Sequence, residues 1–186
     1  MHNVAVFVGS LRAESINRKF AKALERLGKD RFAFNFVQLA DLPMYNDDLW
    51  QSPPAPVLRL KADIEAADAV LIVTPEYNRG TTPLIVNAVA WGSRPKGKNS
   101  WAGKPASLIG TSGGGIGTAV AQSELRSQLV ILGTVLMGQP EVYFQTKPGL
   151  IDDNHEVTDE KTRAFLDGYL SKFDAWIGRV GVKVQG

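Results

Sequence analysis

Four short runs in this chain are apolar almost without interruption: Val4 to Gly9, Ala69 to Thr74, Ala106 to Thr111, and a broken run from Thr134 through Met137 to Tyr143. A strand with one wet face alternates apolar and polar residues. A continuously apolar strand is covered on both faces, as in parallel sheets flanked by helices. Phe32 to Leu39 sets Phe32, Phe34 and Phe36 against Ala33 and Asn35, the pattern of an edge strand exposed on one side.

Between these runs the period changes to that of helices. Ile16, Phe20, Leu24 and Leu27 form one apolar stripe. Val57 to Ala66 follows a cluster of prolines, and Leu84 to Trp91 makes a third helix. Ala121, Leu125, Leu129 and Leu132 share a face, as do Phe165, Tyr169, Phe173 and Trp176. The order is strand then helix, five times over. Right-handed crossovers turn that order into an α/β fold with a five-stranded, doubly wound parallel sheet. With 186 residues, 44% of them hydrophobic, residues 1–186 are expected to form a single domain with a two-sided core.

The chain contains no cysteine, which excludes disulfides, thiolate metal sites and a cysteine nucleophile, so redox chemistry requires a bound cofactor. A formal charge of +2 gives no field that favours nucleic acid or an acidic membrane. The N-terminal segment lacks the pattern of a signal peptide and no apolar run is long enough to span a bilayer, so a cytoplasmic location is expected. His2 and His155, the two histidines, have no neighbours that suggest a triad or a metal site. Asp152 with Asp153, and Asp47 with Asp48, read as solvated pairs. No protein acid, base or metal ligand is expected to do the chemistry.

Open α/β sheets bind ligands at the carboxyl ends of their strands. The loop after the first strand reads Gly9, Ser10, Leu11, Arg12, Ala13, Glu14, Ser15, Ile16, Asn17. Two hydroxyls, an amide, a guanidinium and a helix N-terminus suit a phosphate. Neither G-x-G-x-x-G nor a Walker motif is present, and a monophosphate such as that of FMN fits better than a triphosphate. The same residues also allow a plain helix cap at Ser15 and a solvated Arg12.

The third strand runs into Thr74, Pro75, Glu76, Tyr77, Asn78, Arg79, Gly80, a turn whose backbone and aromatic ring suit a planar heterocycle. Glu76 is assigned a structural role, because hydride transfer through a flavin needs no protein base. The fourth strand ends in Thr111, Ser112, Gly113, Gly114, Gly115, Ile116, Gly117, where amides at a helix start favour negative charge on a ligand edge.

Gly9-Ser10-Leu11-Arg12 with Ser15 and Asn17, then Thr74-Pro75-Glu76-Tyr77-Asn78, then Trp91 with Ser93-Arg94-Pro95, and Gly103-Lys104-Pro105 resemble the NADPH-dependent FMN reductase family, in particular its quinone and chromate reductase branch. The resemblance implies a flavodoxin-like fold with strand order 2-1-3-4-5. It implies FMN phosphate at Ser10, Arg12, Ser15, Ile16 and Asn17, the ring against Pro75, Glu76, Tyr77 and Asn78, and its pyrimidine edge at Ser112 and Gly113. Homodimers or homotetramers are implied too, with FMN near the interface; the apolar faces carrying Leu84 and Trp91 are candidates for that contact. The chain departs from the family pattern at Thr81-Thr82-Pro83 and at Ala90, beside the expected flavin site.

The resulting expectation is two-electron, ping-pong hydride transfer from NADPH or NADH through FMN to quinones, with chromate, azo compounds and free flavin as further acceptors. Arg79 and Arg94 are candidates for attracting nucleotide phosphates or an anionic acceptor, and both also suit ordinary surface positions. The competing reading is a flavodoxin-type electron carrier that docks on protein partners. Such carriers are usually strongly acidic and hold phosphate with threonine-rich loops, unlike this chain.

Overall fold

The computed structural model describes residues 1–181. The expected parallel sheet is present, with β1 (His2–Val8), β2 (Phe32–Phe36), β3 (Ala69–Val73), β4 (Pro105–Ser112), β5 (Val135–Leu136) and β6 (Tyr143–Gln145). Its order is β2-β1-β3-β4-β5, with β6 also pairing with β4, and every pairing is parallel. The helices are α1 (Ile16–Gly28), α2 (Ala55–Ala66), α3 (Pro83–Gly92), α4 (Ala119–Ile131) and α5 (Glu160–Val180).

Alternate side chains of the central strands enter two separate cores. Val4, Val6, Val8, Leu71 and Val73 pack under α1 and α5. Ala5, Phe7, Val70, Ile72 and Leu108 pack under α2, α3 and α4. This two-sided burial is what the continuous apolar runs encode.

Three details correct the sequence reading. The fifth strand position is shared by two short strands: β5 meets β4 at Pro105 and Ala106, and β6 meets it at Gly110 to Ser112. Six strands thus fill five positions, because the intervening Gly138-Gln139-Pro140 includes a residue with no N–H to give to a ladder. Phe165 is exposed, and α5 buries Leu166, Tyr169, Leu170, Phe173 and Ile177 instead. Trp91 is fully buried and its indole N–H donates to the carbonyl of Pro43 at 2.8 Å, so it is unavailable to a subunit contact. Among the described residues no helix is long and apolar enough to cross a membrane.

Candidate active site

The carboxyl ends of β1, β3 and β4 lie side by side, and the three loops singled out in the sequence emerge there together. Gly9 leaves β1 by donating its N–H to the carbonyl of Val73 at 3.0 Å. A Cβ at this position would lie 2.7 Å from Pro75 Cδ and 2.9 Å from both Ile85 Cγ1 and Thr82 Oγ1. Only glycine lets the first loop pass so close to the third strand's exit.

The loop then turns into α1. Ser15 caps the helix by accepting the Arg18 N–H at 3.2 Å, and the Ser10 hydroxyl accepts the Arg12 N–H at 3.3 Å. Both serines are nearly buried. Among the described residues, the Ile16 and Asn17 N–H groups have no partner, which is the ordinary condition of a first helical turn. Arg12 is exposed and takes part in no ion pair among the described residues. The loop therefore offers a hydroxyl proton, two amides and a guanidinium in one place.

Asn17 behaves differently from the reading in which its side chain faces a phosphate. Its amide nitrogen donates to the carbonyl of Thr111 at 2.9 Å, and its oxygen accepts the Thr111 N–H at 3.0 Å. β3 leaves the ladder just before this point, its Thr74 N–H reaching the Ile109 carbonyl. A side-chain amide has the donor and acceptor of a peptide unit, so Asn17 satisfies the next residue of β4 in the strand's place. The side chain thereby fixes the start of α1 to the end of β4, and only its backbone N–H remains available to a ligand.

The second loop folds as a tight turn in which Tyr77 and Gly80 exchange backbone hydrogen bonds at 3.0 and 2.9 Å. Asn78 and Arg79 take φ values of 51° and 64°, the left-handed pair of a type I′ turn. The Glu76 carboxylate is occupied: Oε2 accepts the N–H groups of Val120 and Ala121 at 3.0 and 3.2 Å, and Oε1 accepts Arg79 Nη1 at 2.9 Å. Glu76 is thus an N-terminal anchor for α4, in keeping with the structural role read from the sequence. Glu124, from the same helix, accepts the Thr81 N–H at 2.6 Å.

In the third loop, the Ser112 hydroxyl closes on Gly114, while the N–H groups of Gly113, Gly115 and Ile116 find no partner among the described residues. Gly117 has φ +62°, and a Cβ there would lie 2.6 Å from the backbone carbon of Tyr143. Glu76, Asn78, Arg79, Ser112 and Gly114 to Gly117 line a cleft of about 420 Å³ between the second and third loops.

Three neighbours were not placed at the site by the sequence reading. His155 and Asp153 share a groove with residues 13–16, 18 and 19, where Asp153 accepts Lys19 Nζ at 3.1 Å; Gln145 donates to the carbonyl of Gly113 at 3.0 Å. Nothing local in the sequence signals either contact, because the partners are far apart along the chain. A larger cleft of about 740 Å³ opens at the opposite end of the sheet, beside Trp50, Lys61 and Lys104. Lys61 there donates to the carbonyls of Gly92 and Lys98 and to Ser100 Oγ, and burial holds its pKa below the ordinary lysine value. None of the residues assigned to the flavin borders that cleft, although Pro95 and Lys104 of the family motifs do.

With this geometry in place, similarity to known proteins takes on specific content. The family model of NADPH-dependent FMN reductases matches residues 2–149, which include all three loops. The chain belongs to that family. A 2-hydroxy-1,4-benzoquinone reductase from a Burkholderia species is 45% identical over 94% of this chain and 95% of its own length. A quinone reductase of Pseudomonas putida is 42% identical over 95% of each chain. Among solved structures, FerB of Paracoccus denitrificans, described as a flavoenzyme NAD(P)H:(acceptor) oxidoreductase, superposes with a TM-score of 0.96 at 49% identity, covering 98% of this chain and 100% of FerB. Membership of the FMN reductase family agrees with the resemblance carried by the motifs, and with the strand order found in the structure.

Proposed function

We propose that this FMN reductase family member is an FMN-dependent NAD(P)H:quinone oxidoreductase. The observation that carries the reading is the convergence of unpartnered donors on one sheet edge, with a phosphate-type helix start at one end and a cleft of backbone amides at the other. FMN supplies the two-electron relay between NAD(P)H and the acceptor. Its phosphate suits the Ser10 hydroxyl, the Ile16 and Asn17 N–H groups and the Arg12 guanidinium, with Ser15 shaping the helix start. The turn Pro75 to Asn78 is assigned to the ring, and Ser112 and Gly113 to its pyrimidine edge.

The protein's part is orientation and electrostatics. Amides at Gly113, Gly115 and Ile116 favour negative charge at the ligand edge they face. Asn17 holds the two ends of the site in fixed register, and Glu76 fixes the turn that forms the cleft wall. Tyr77 and Ile116, both about half exposed beside this cleft, suit a second subunit that would exclude water, and a homodimer or homotetramer is part of the proposal. Chromate, azo compounds and free flavin belong to the proposed acceptor range by family likeness only.

The test is direct. The purified protein is expected to hold about one FMN per chain and to oxidise NADPH or NADH steadily when a quinone is supplied. Tight flavin binding with no nucleotide oxidation in the presence of any quinone would overturn the assignment.

A further inference from the structure

Arg79 stands out among the residues of the ring cleft. It is the sole cation among the residues lining that cleft, and its side chain is 63% exposed. Its backbone is held at φ 64°, a conformation few non-glycine residues adopt, by the paired hydrogen bonds of Tyr77 and Gly80. The turn thus keeps the side chain at the cleft rim.

The Arg79 guanidinium is only partly engaged. Among the described residues its one hydrogen bond goes to Glu76 Oε1, which leaves most of the five guanidinium N–H donors open there. Glu76 is shared with the N-terminus of α4, whose positive end and two amides claim the other carboxylate oxygen. Glu124 accepts from the Thr81 N–H and from Gln128 Nε2. Arg79 is therefore the one cationic side chain this cleft presents, opposite the apolar side chain of Ile116, which is 48% exposed.

We propose that Arg79 is a specificity residue that selects anionic quinones, those bearing an ionised hydroxyl or carboxylate on a flat apolar ring. The proposal rests on the quinone reductase reading above. The reaction balances as quinone anion plus NAD(P)H plus one proton from solvent, giving the hydroquinone anion and NAD(P)⁺; a hydride equivalent leaves the nicotinamide and both ring oxygens end protonated. Arg79 binds and orients the anion and exchanges no proton.

A matched pair of acceptors tests this: 2-hydroxy-1,4-naphthoquinone, ionised at neutral pH, and its neutral 2-methoxy ether. For wild type, Arg79→Asn and Arg79→Lys, the kcat/KM for each quinone is measured at low and high salt. Asparagine tolerates the left-handed backbone and removes the charge. The hydroxy-to-methoxy ratio is expected to fall about fivefold in R79N, through KM, and to recover in R79K, the scale of a half-exposed ion pair. Raising salt is expected to lower the ratio in wild type and leave it flat in R79N.

A second measurement needs no turnover. Binding of the hydroxyquinone to the FMN-loaded protein, read by difference absorbance without NAD(P)H, should weaken by the same factor in R79N. An unchanged ratio and unchanged binding in R79N overturn the proposal, as does a KM change confined to NAD(P)H. If wild type reduces neither quinone, the functional reading fails, and the binding measurement still decides the role of Arg79.

Discussion

The Asn17 amide makes a sharp prediction because its two bonds can be removed separately. Asn17→Ala deletes both and leaves the buried N–H and C=O of Thr111 unpaired. Each unsatisfied buried group costs about 1–3 kcal/mol, so a loss of about 3 kcal/mol overall is expected. For a chain of this length that corresponds to a fall in Tm of about 6–12 °C. Asn17→Asp is isosteric and keeps the acceptor for the Thr111 N–H, but an ionised carboxylate then faces the Thr111 carbonyl oxygen, acceptor against acceptor. The neutral acid can donate instead, so the folded protein should raise this carboxyl's pKa above its unfolded value. The folded state then binds more protons through that window, and its stability relative to wild type must fall as pH rises through it. Thermal unfolding of the three proteins between about pH 4 and pH 7, with flavin removed, checks both points. Titration with FMN and riboflavin adds a control: N17A should still prefer FMN, because the backbone N–H survives. A variant that keeps wild-type stability but loses the preference for FMN would show that the side chain serves the phosphate and that the brace to β4 is incidental.

Arg12→Ala is expected to weaken FMN by about 1.5–3 kcal/mol while leaving riboflavin affinity unchanged, checked by fluorescence titration. Gly9→Ala forces a methyl group against Pro75, Ile85 and Thr82, and a loss of about 1–3 kcal/mol of stability is expected in denaturant unfolding. The Asp159 carboxyl is held below its ordinary pKa by hydrogen bonds from the Thr162 side chain and backbone at the start of α5. Its stabilising effect is thus complete above the unfolded carboxyl pKa and lost as pH falls through the lower folded value; Asp159→Asn should flatten that part of the stability profile in acid titration by circular dichroism.

Strands β1, β3 and β4 were legible because burial on both faces leaves an unbroken apolar run, and no other element writes that pattern in six or eight residues. The split between β5 and β6 was less so: two and three residues of strand are too few to show a period, and the break lies in loop residues that carry no distinctive spacing. The convergence of the three candidate loops could be foreseen because strand ends in such sheets share one edge. The partner of Asn17 could not, since an asparagine before a helix reads equally as a cap, a ligand or a brace until the fold brings Thr111 beside it. Glu76 was separable from a catalytic base by chemistry, yet its real partners, the first amides of α4, came only from the structure. Trp91 illustrates the converse, a large apolar side chain read as available surface that α3 turns into the core.

Both walls of the cleft proposed for the ring are moored to a single helix. Glu76 and Glu124 tie the second loop to α4, and the glycine loop runs directly into it. A displacement of α4 would carry both walls together and leave the width of the aperture nearly constant. Tolerance for diverse flat acceptors in such a site must come from its open side, while the gap assigned to the ring stays the same. Under the proposed site assignment, substitutions at a rim position such as 79 can then retune which acceptors dock without disturbing the residues assigned to the flavin, so a lineage can exchange one electron sink for another through a few surface changes.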